Sequence, residues 1–133
     1  MKYVLLYILT FIVFLAIDAV WLLVISKNLY SKEIGHLMAE KALLLPALIF
    51  YLLFVVGVLI FAVLPGYEAQ SLSKTLMLGA LLGLMTYATY DLTNLATLRD
   101  WPIKITIIDI IWGTSLSTLT GLAGYYIAKF INL

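Results

Sequence analysis

Four long apolar runs, Tyr3–Ile25, Ala42–Leu64, Thr75–Leu98 and Ile103–Ile131, alternate with short polar connections along the chain. Each reaches the ~20 residues that a helix needs to cross a bilayer, so the pattern predicts four membrane-spanning helices. The first run starts after a single lysine, as a secretory signal does. Its apolar stretch is longer than a signal's, however, and Ile17 and Ala19 make a poor cleavage site before Val20, so it reads as a retained helix. The second run admits Pro46 in its first turn and is expected to stop at Pro65-Gly66. Between the first two runs, Tyr30, Ile34, Leu37, Met38 and Lys41 recur at helical spacing against Lys27, Ser31, Lys32, Glu33 and Glu40, the pattern of a short helix lying in the membrane interface. The remaining links are tight, which makes neighbouring helices antiparallel. The expected fold is all-α: an integral membrane four-helix bundle, a single transmembrane domain over residues 1–133, with a short amphipathic helix after the first span.

Composition strengthens this reading. The chain is 65% hydrophobic and 11% charged, whereas a soluble domain is about half apolar and about a quarter charged. A net charge of +1 and the absence of cysteine exclude a nucleic-acid-binding module and a disulfide scaffold. Basic residues divide three (Lys2, Lys74, Lys129) against five (Lys27, Lys32, Lys41, Arg99, Lys104) between the two sides, which favours cytoplasmic first and third loops and termini outside.

The informative residues are the acids inside the spans. A central aspartate costs roughly 2.5–3.5 kcal/mol by insertion measurements, yet Asp18, Asp91 and Asp109 lie within the first, third and fourth runs. Counted from the predicted helix ends, each lies ~10 Å below the same membrane surface, so one shared site is geometrically open to them. Ile17-Asp18-Ala19-Val20-Trp21 and Ile108-Asp109-Ile110-Ile111-Trp112 share the form Ile-Asp-x-x-Trp, and the i, i+3 spacing sets each tryptophan beside its aspartate. In the third run Tyr87, Asp91 and Asn94 follow i, i+4, i+7, flanking the acid with a phenol and an amide.

Small residues aim these acids inward. Gly79, Gly83, Tyr87 and Asp91 step by four, and Asp109, Gly113, Ser117 and Gly121 answer at the same step, so the third and fourth helices should pack closely along these stripes. The second helix, without an acid, should be the most lipid-covered. His36 and Arg99 are secondary candidates on the acid-bearing side, His36 for proton transfer and Arg99 for pairing with an acid or an anionic headgroup. Trp101 and several tyrosines suit an aromatic belt at the interface.

With Asp18-Ala19-Val20-Trp21, Tyr90-Asp91-Leu92-Thr93-Asn94-Leu95-Ala96-Thr97 followed by Trp101-Pro102, and Asp109-Ile110-Ile111-Trp112, the chain resembles a family of small four-span bacterial inner-membrane proteins classified only as a domain of unknown function. The resemblance implies a bacterial cytoplasmic membrane and brings no reaction or ligand. The expectation is a pocket walled by Asp18, Trp21, Tyr87, Asp91, Asn94, Asp109 and Trp112 that binds a cation or a cationic or polar small molecule, serving transport as a homodimer in the lipid bilayer. If a metal ion is the cofactor, Asp18, Asp91 and Asp109 are its expected ligands. Two other readings stand beside it: a membrane-embedded lipid- or peptide-modifying enzyme using paired aspartates, and a non-catalytic assembly subunit whose acids only specify helix packing.

Overall fold

A computed structural model describes residues 1–133 and contains helices only. Helix α1 spans Lys2–Val20 and runs on through a π turn, Trp21–Ile25; α2 is the short helix Leu29–Ile34, ending in a 3₁₀ turn at Gly35–Leu37. Helix α3 covers Leu44–Val58 and continues through a second π turn, Leu59–Val63, into α4, Leu64–Glu68. The last two helices are α5, Leu72–Thr97, and α6, Ile103–Phe130.

Three helical segments are long and apolar enough to cross a membrane: Lys2–Ile25, Leu44–Glu68 and Ile103–Phe130. Helix α5 has the length, with 26 residues, but tyrosine, threonine, aspartate and asparagine dilute the apolar character of its second half, and it is not one of the three. The fourth apolar span expected from the run Thr75–Leu98 is thus a long helix of more polar make-up.

Helix α6 is the centre of the fold. Helix α5 packs along its whole length and α1 lies on another side. The glycine stripes account for the closeness of α5: a Cβ on Gly79 would sit 3.2 Å from the Ser117 carbonyl oxygen, one on Gly83 would press into the Gly113 carbonyl, and one on Gly113 would overlap the Tyr87 ring. Around this contact Phe14, Val55, Val58, Val63 and Leu116 are fully buried, joining α1, α3, the second π turn and α6 in one core.

Proline did not end the second long helix at Pro65-Gly66 as expected. The π turn shifts the register, with the Leu64 N–H reaching back to the Leu59 carbonyl, so that Pro65 falls in the first turn of α4, where its missing N–H leaves little unpaired. The Ala62 carbonyl takes a hydrogen bond from the Thr75 hydroxyl instead, at 3.0 Å. Gly66 allows the close approach to Thr75 that this bond requires.

The amphipathic segment is also shorter than its pattern. Helical structure stops at Leu37, and Met38 is extended. Tyr30 and Ile34 turn inward, whereas Leu37 and Met38 are exposed. Ile34 packs on Trp101 and Ile105, so Trp101, expected in a belt, is instead buried between α2 and the start of α6. The Glu33–Lys104 ion pair (3.2 Å) and a His36–Asp100 contact (3.5 Å) lie at the rim of this packing. Helix α2 thus caps the end of the bundle that carries the acids.

Candidate functional site

All three aspartates are buried, on α1, α5 and α6. They divide into a pair and a single residue. Asp91 and Asp109 come from the glycine-packed helices, and their carboxyls lie within hydrogen-bonding reach of each other. Asp91 is fully buried, and no N–H or O–H elsewhere in the protein reaches either of its oxygens. Asp109 has one outside partner, the Tyr30 hydroxyl, which donates to Oδ1 at 2.8 Å. Burial, and then the neighbouring Asp109 carboxylate, hold the Tyr30 phenol well above its usual pKa, so it stays a donor at neutral pH.

Asp18 stands apart from that pair, held by α3: the Tyr51 hydroxyl donates to Asp18 Oδ2 at 2.5 Å. The Tyr87 ring packs against Gly113 and Phe54 and lines a cavity that Asp109 also lines. The three acids do not converge as a metal-ligand set, and no group of three His, Asp or Glu side chains does so anywhere in the chain. His36 and Arg99 are not part of the constellation either: His36 faces Asp100 at the surface, and Arg99 is exposed without an ion pair.

The two Ile-Asp-x-x-Trp segments meet, although not as the spacing alone suggested. Trp21 and Trp112 stack on each other, with ring centroids 4.5 Å apart and planes 7° from parallel. The Trp21 indole N–H donates to the Tyr30 oxygen at 3.1 Å rather than to Asp18, completing a chain Trp21–Tyr30–Asp109. The π turn following Asp18 sets this position. The Trp21 carbonyl accepts from the Ser26 N–H at 2.7 Å, five residues on, and from the Ser26 hydroxyl at 2.8 Å. In the third set neither Tyr87 nor Asn94 bonds Asp91.

Beside the acid pair is a cavity of about 290 Å³, lined by Phe50, Thr86, Tyr87, Tyr90 and Asp109. Sequence reading passed over Tyr30, Tyr51 and Phe50. Tyr30 was legible only as one apolar position of an amphipathic stripe. Tyr51 stood in a run taken as lipid-covered because it has no acid, and its one signal was a phenol in the midst of an aliphatic stretch.

Removing the phenol tests the single acid. Tyr51→Phe is expected to lower stability by about 1–3 kcal/mol, the range for leaving a buried acceptor without its donor, in thermal denaturation of the detergent-solubilised protein. Asp18→Asn in the same background should add little, since the two residues form one unit. A change near zero for Tyr51→Phe would mean that Asp18 does not depend on this donor.

An all-helical chain with three apolar helices of membrane-crossing length and carboxyls enclosed among them is a membrane protein. The family model described as "Predicted membrane protein (DUF2177)" matches residues 3–126, and the chain belongs to that family. No curated protein and no solved structure matches it.

Proposed function

We propose that the Asp91–Asp109 pair is an intramembrane binding site that exchanges a proton for a cation or a cationic or polar small molecule. One observation carries the reading: Asp91 keeps two fully buried carboxyl oxygens that meet no donor but the neighbouring acid. A buried polar atom without a partner costs about 1–3 kcal/mol, and a second carboxyl beside it supplies a hydrogen bond only while the pair holds a proton. A cationic group placed between the two would satisfy both and release that proton.

In this reading α5 crosses the bilayer as a fourth span, with Asp91 the buried residue of its polar half. The protein sits in the bacterial cytoplasmic membrane with both termini outside, as the five-to-three division of basic residues favours. Helix α2 lies at the cytoplasmic interface and covers the acids there. Coupled to transport, the site works in a homodimer, because a single bundle of this size is a thin pathway.

Proton release tests the reading. Protein in phosphatidylcholine nanodiscs is mixed with sodium, potassium or alkylammonium chlorides of increasing chain length in a weakly buffered indicator solution. At least one of these is expected to release about one proton per site, the stoichiometry of exchange at a pair sharing one proton, and Asp91→Asn should release none. Absence of release with every cation would overturn it. The paired-aspartate enzyme draws on the same contact between two carboxyls. It requires turnover of a lipid or peptide that is lost in both Asp91→Asn and Asp109→Asn.

A further inference from the structure

The cavity beside the acid pair lies where the bundle is incomplete. Helix α5 packs against the second long helix through the π turn Leu59–Val63 and α4, and only marginally along α3. Burial follows the same division. Val55, Val58, Ala62 and Val63 are fully buried, whereas Leu44 and Leu45 are 78% and 67% exposed. The N-terminal half of α3 therefore leans away from α5. The cavity between them is lined by Phe50 of α3, by Thr86, Tyr87 and Tyr90 of α5 and by Asp109 of α6.

Three properties of the gap define what fits it. Its outer surface is apolar and faces the side of the bundle, so an occupant arriving that way travels in the hydrocarbon region. At about 290 Å³ it sits at the low end of ligand pockets, roughly 300–1,000 Å³, with room for a headgroup and the first few methylenes. Its inner end carries the Asp109 carboxyl, which has a single donor in Tyr30, and next to Asp109 stands the donor-less Asp91; a primary ammonium, with three N–H donors and a positive charge, complements the two.

We propose that the occupant is a membrane amphiphile with a primary ammonium headgroup, entering laterally between α3 and α5 so that its head meets Asp109 beside Asp91 while its chain lies along Phe50. The proposal rests on the binding-site reading above and names its ligand class. The same chemistry has two membrane sources, a long-chain amine and an aminophospholipid.

The test uses the wild-type protein in phosphatidylcholine nanodiscs, with dicyclohexylcarbodiimide labelling of Asp91 and Asp109 located by peptide mass spectrometry. Dodecylamine is expected to protect the pair at concentrations where propylamine does not. Dodecyltrimethylammonium, which has the chain and charge without N–H donors, should protect about tenfold less well, as expected when hydrogen bonds to a charged group are lost. Protection on replacing phosphatidylcholine by phosphatidylethanolamine assigns the phospholipid source; protection by dodecylamine alone assigns the single-chain one.

Equal protection by propylamine and dodecylamine would overturn the lateral route and leave the binding site standing. Equal protection by the trimethylammonium compound would overturn the headgroup assignment. Failure of all three to protect, together with absence of proton release in the previous experiment, would overturn both the ligand and the site. Thr86→Leu, which fills the cavity without touching the acids, should weaken dodecylamine protection while carbodiimide labelling persists; undiminished protection in this variant would place the amine elsewhere.

Discussion

Asp91→Asn is expected to make the protein more stable, by about 1–2 kcal/mol, while abolishing proton release at the acid pair. Asparagine has nearly the shape of aspartate and brings an NH₂ donor to face Asp109, so the contact no longer needs a shared proton. The wild-type side chain is fully buried with neither oxygen bonded to a donor outside the pair. Retaining it therefore costs stability, as sites kept for function commonly do. Thermal denaturation in detergent measures the first effect, and the indicator experiment measures the second. The two alternatives make opposite forecasts: if Asp91 served only to specify helix packing, its amide variant would be less stable and assembly would suffer first. A lowered denaturation midpoint with proton release intact would therefore rule out the exchange site.

Gly83→Leu should prevent the bundle from forming. The α5–α6 contact brings Gly83 against the Gly113 carbonyl, with the Ser117 Cβ 2.7 Å and the Thr114 Cα 2.9 Å from where a Cβ would stand. Most of these neighbours are backbone and cannot rotate away. Even Gly83→Ala forces the helices apart and should cost about 1–3 kcal/mol, the usual range for overpacking, with loss of the Asp91–Asp109 contact about two turns further along α5. The leucine variant is expected to elute as aggregate in size-exclusion chromatography. Gly35→Ala is the control. A Cβ there meets nothing within 4 Å and the backbone is right-handed helical, so this change should be neutral or stabilising by about 0.5–1 kcal/mol. A monodisperse Gly83→Leu protein with wild-type stability would refute the close packing of these two helices.

The glycines and acids that matter in both experiments were legible because they sit on strongly periodic helices. A step of four defines a face whatever packs upon it, so Gly79, Gly83 and Asp91 on one helix and Gly113 and Ser117 on the other could be paired before any coordinates. The tyrosines were not legible in this way. Tyr30 and Tyr51 act on acids 79 and 33 residues away in the chain, and their local patterns, an amphipathic stripe and an aliphatic run, describe only what surrounds them. Both π turns escaped as well. The first goes with a local bond, the Ser26 hydroxyl on the Trp21 carbonyl; the second lies where Pro65 and the bond from the Thr75 hydroxyl of α5 compete with helix register. The turn that carries Trp21 aims its N–H at Tyr30 and its ring at Trp112.

Read alone, the amino-acid order determined a helical membrane protein, its long helices, the buried acids and the glycine seam, since each depends on hydropathy and spacing along one element. Only the tertiary structure decided that two of the three carboxyls form the pair, that the third belongs to Tyr51, that α2 closes the site from above and that α3 leaves it open at the side. Those outcomes depend on how far whole helices tilt and where their registers slip. Both are set by contacts between residues distant in the chain, which no local repeat encodes.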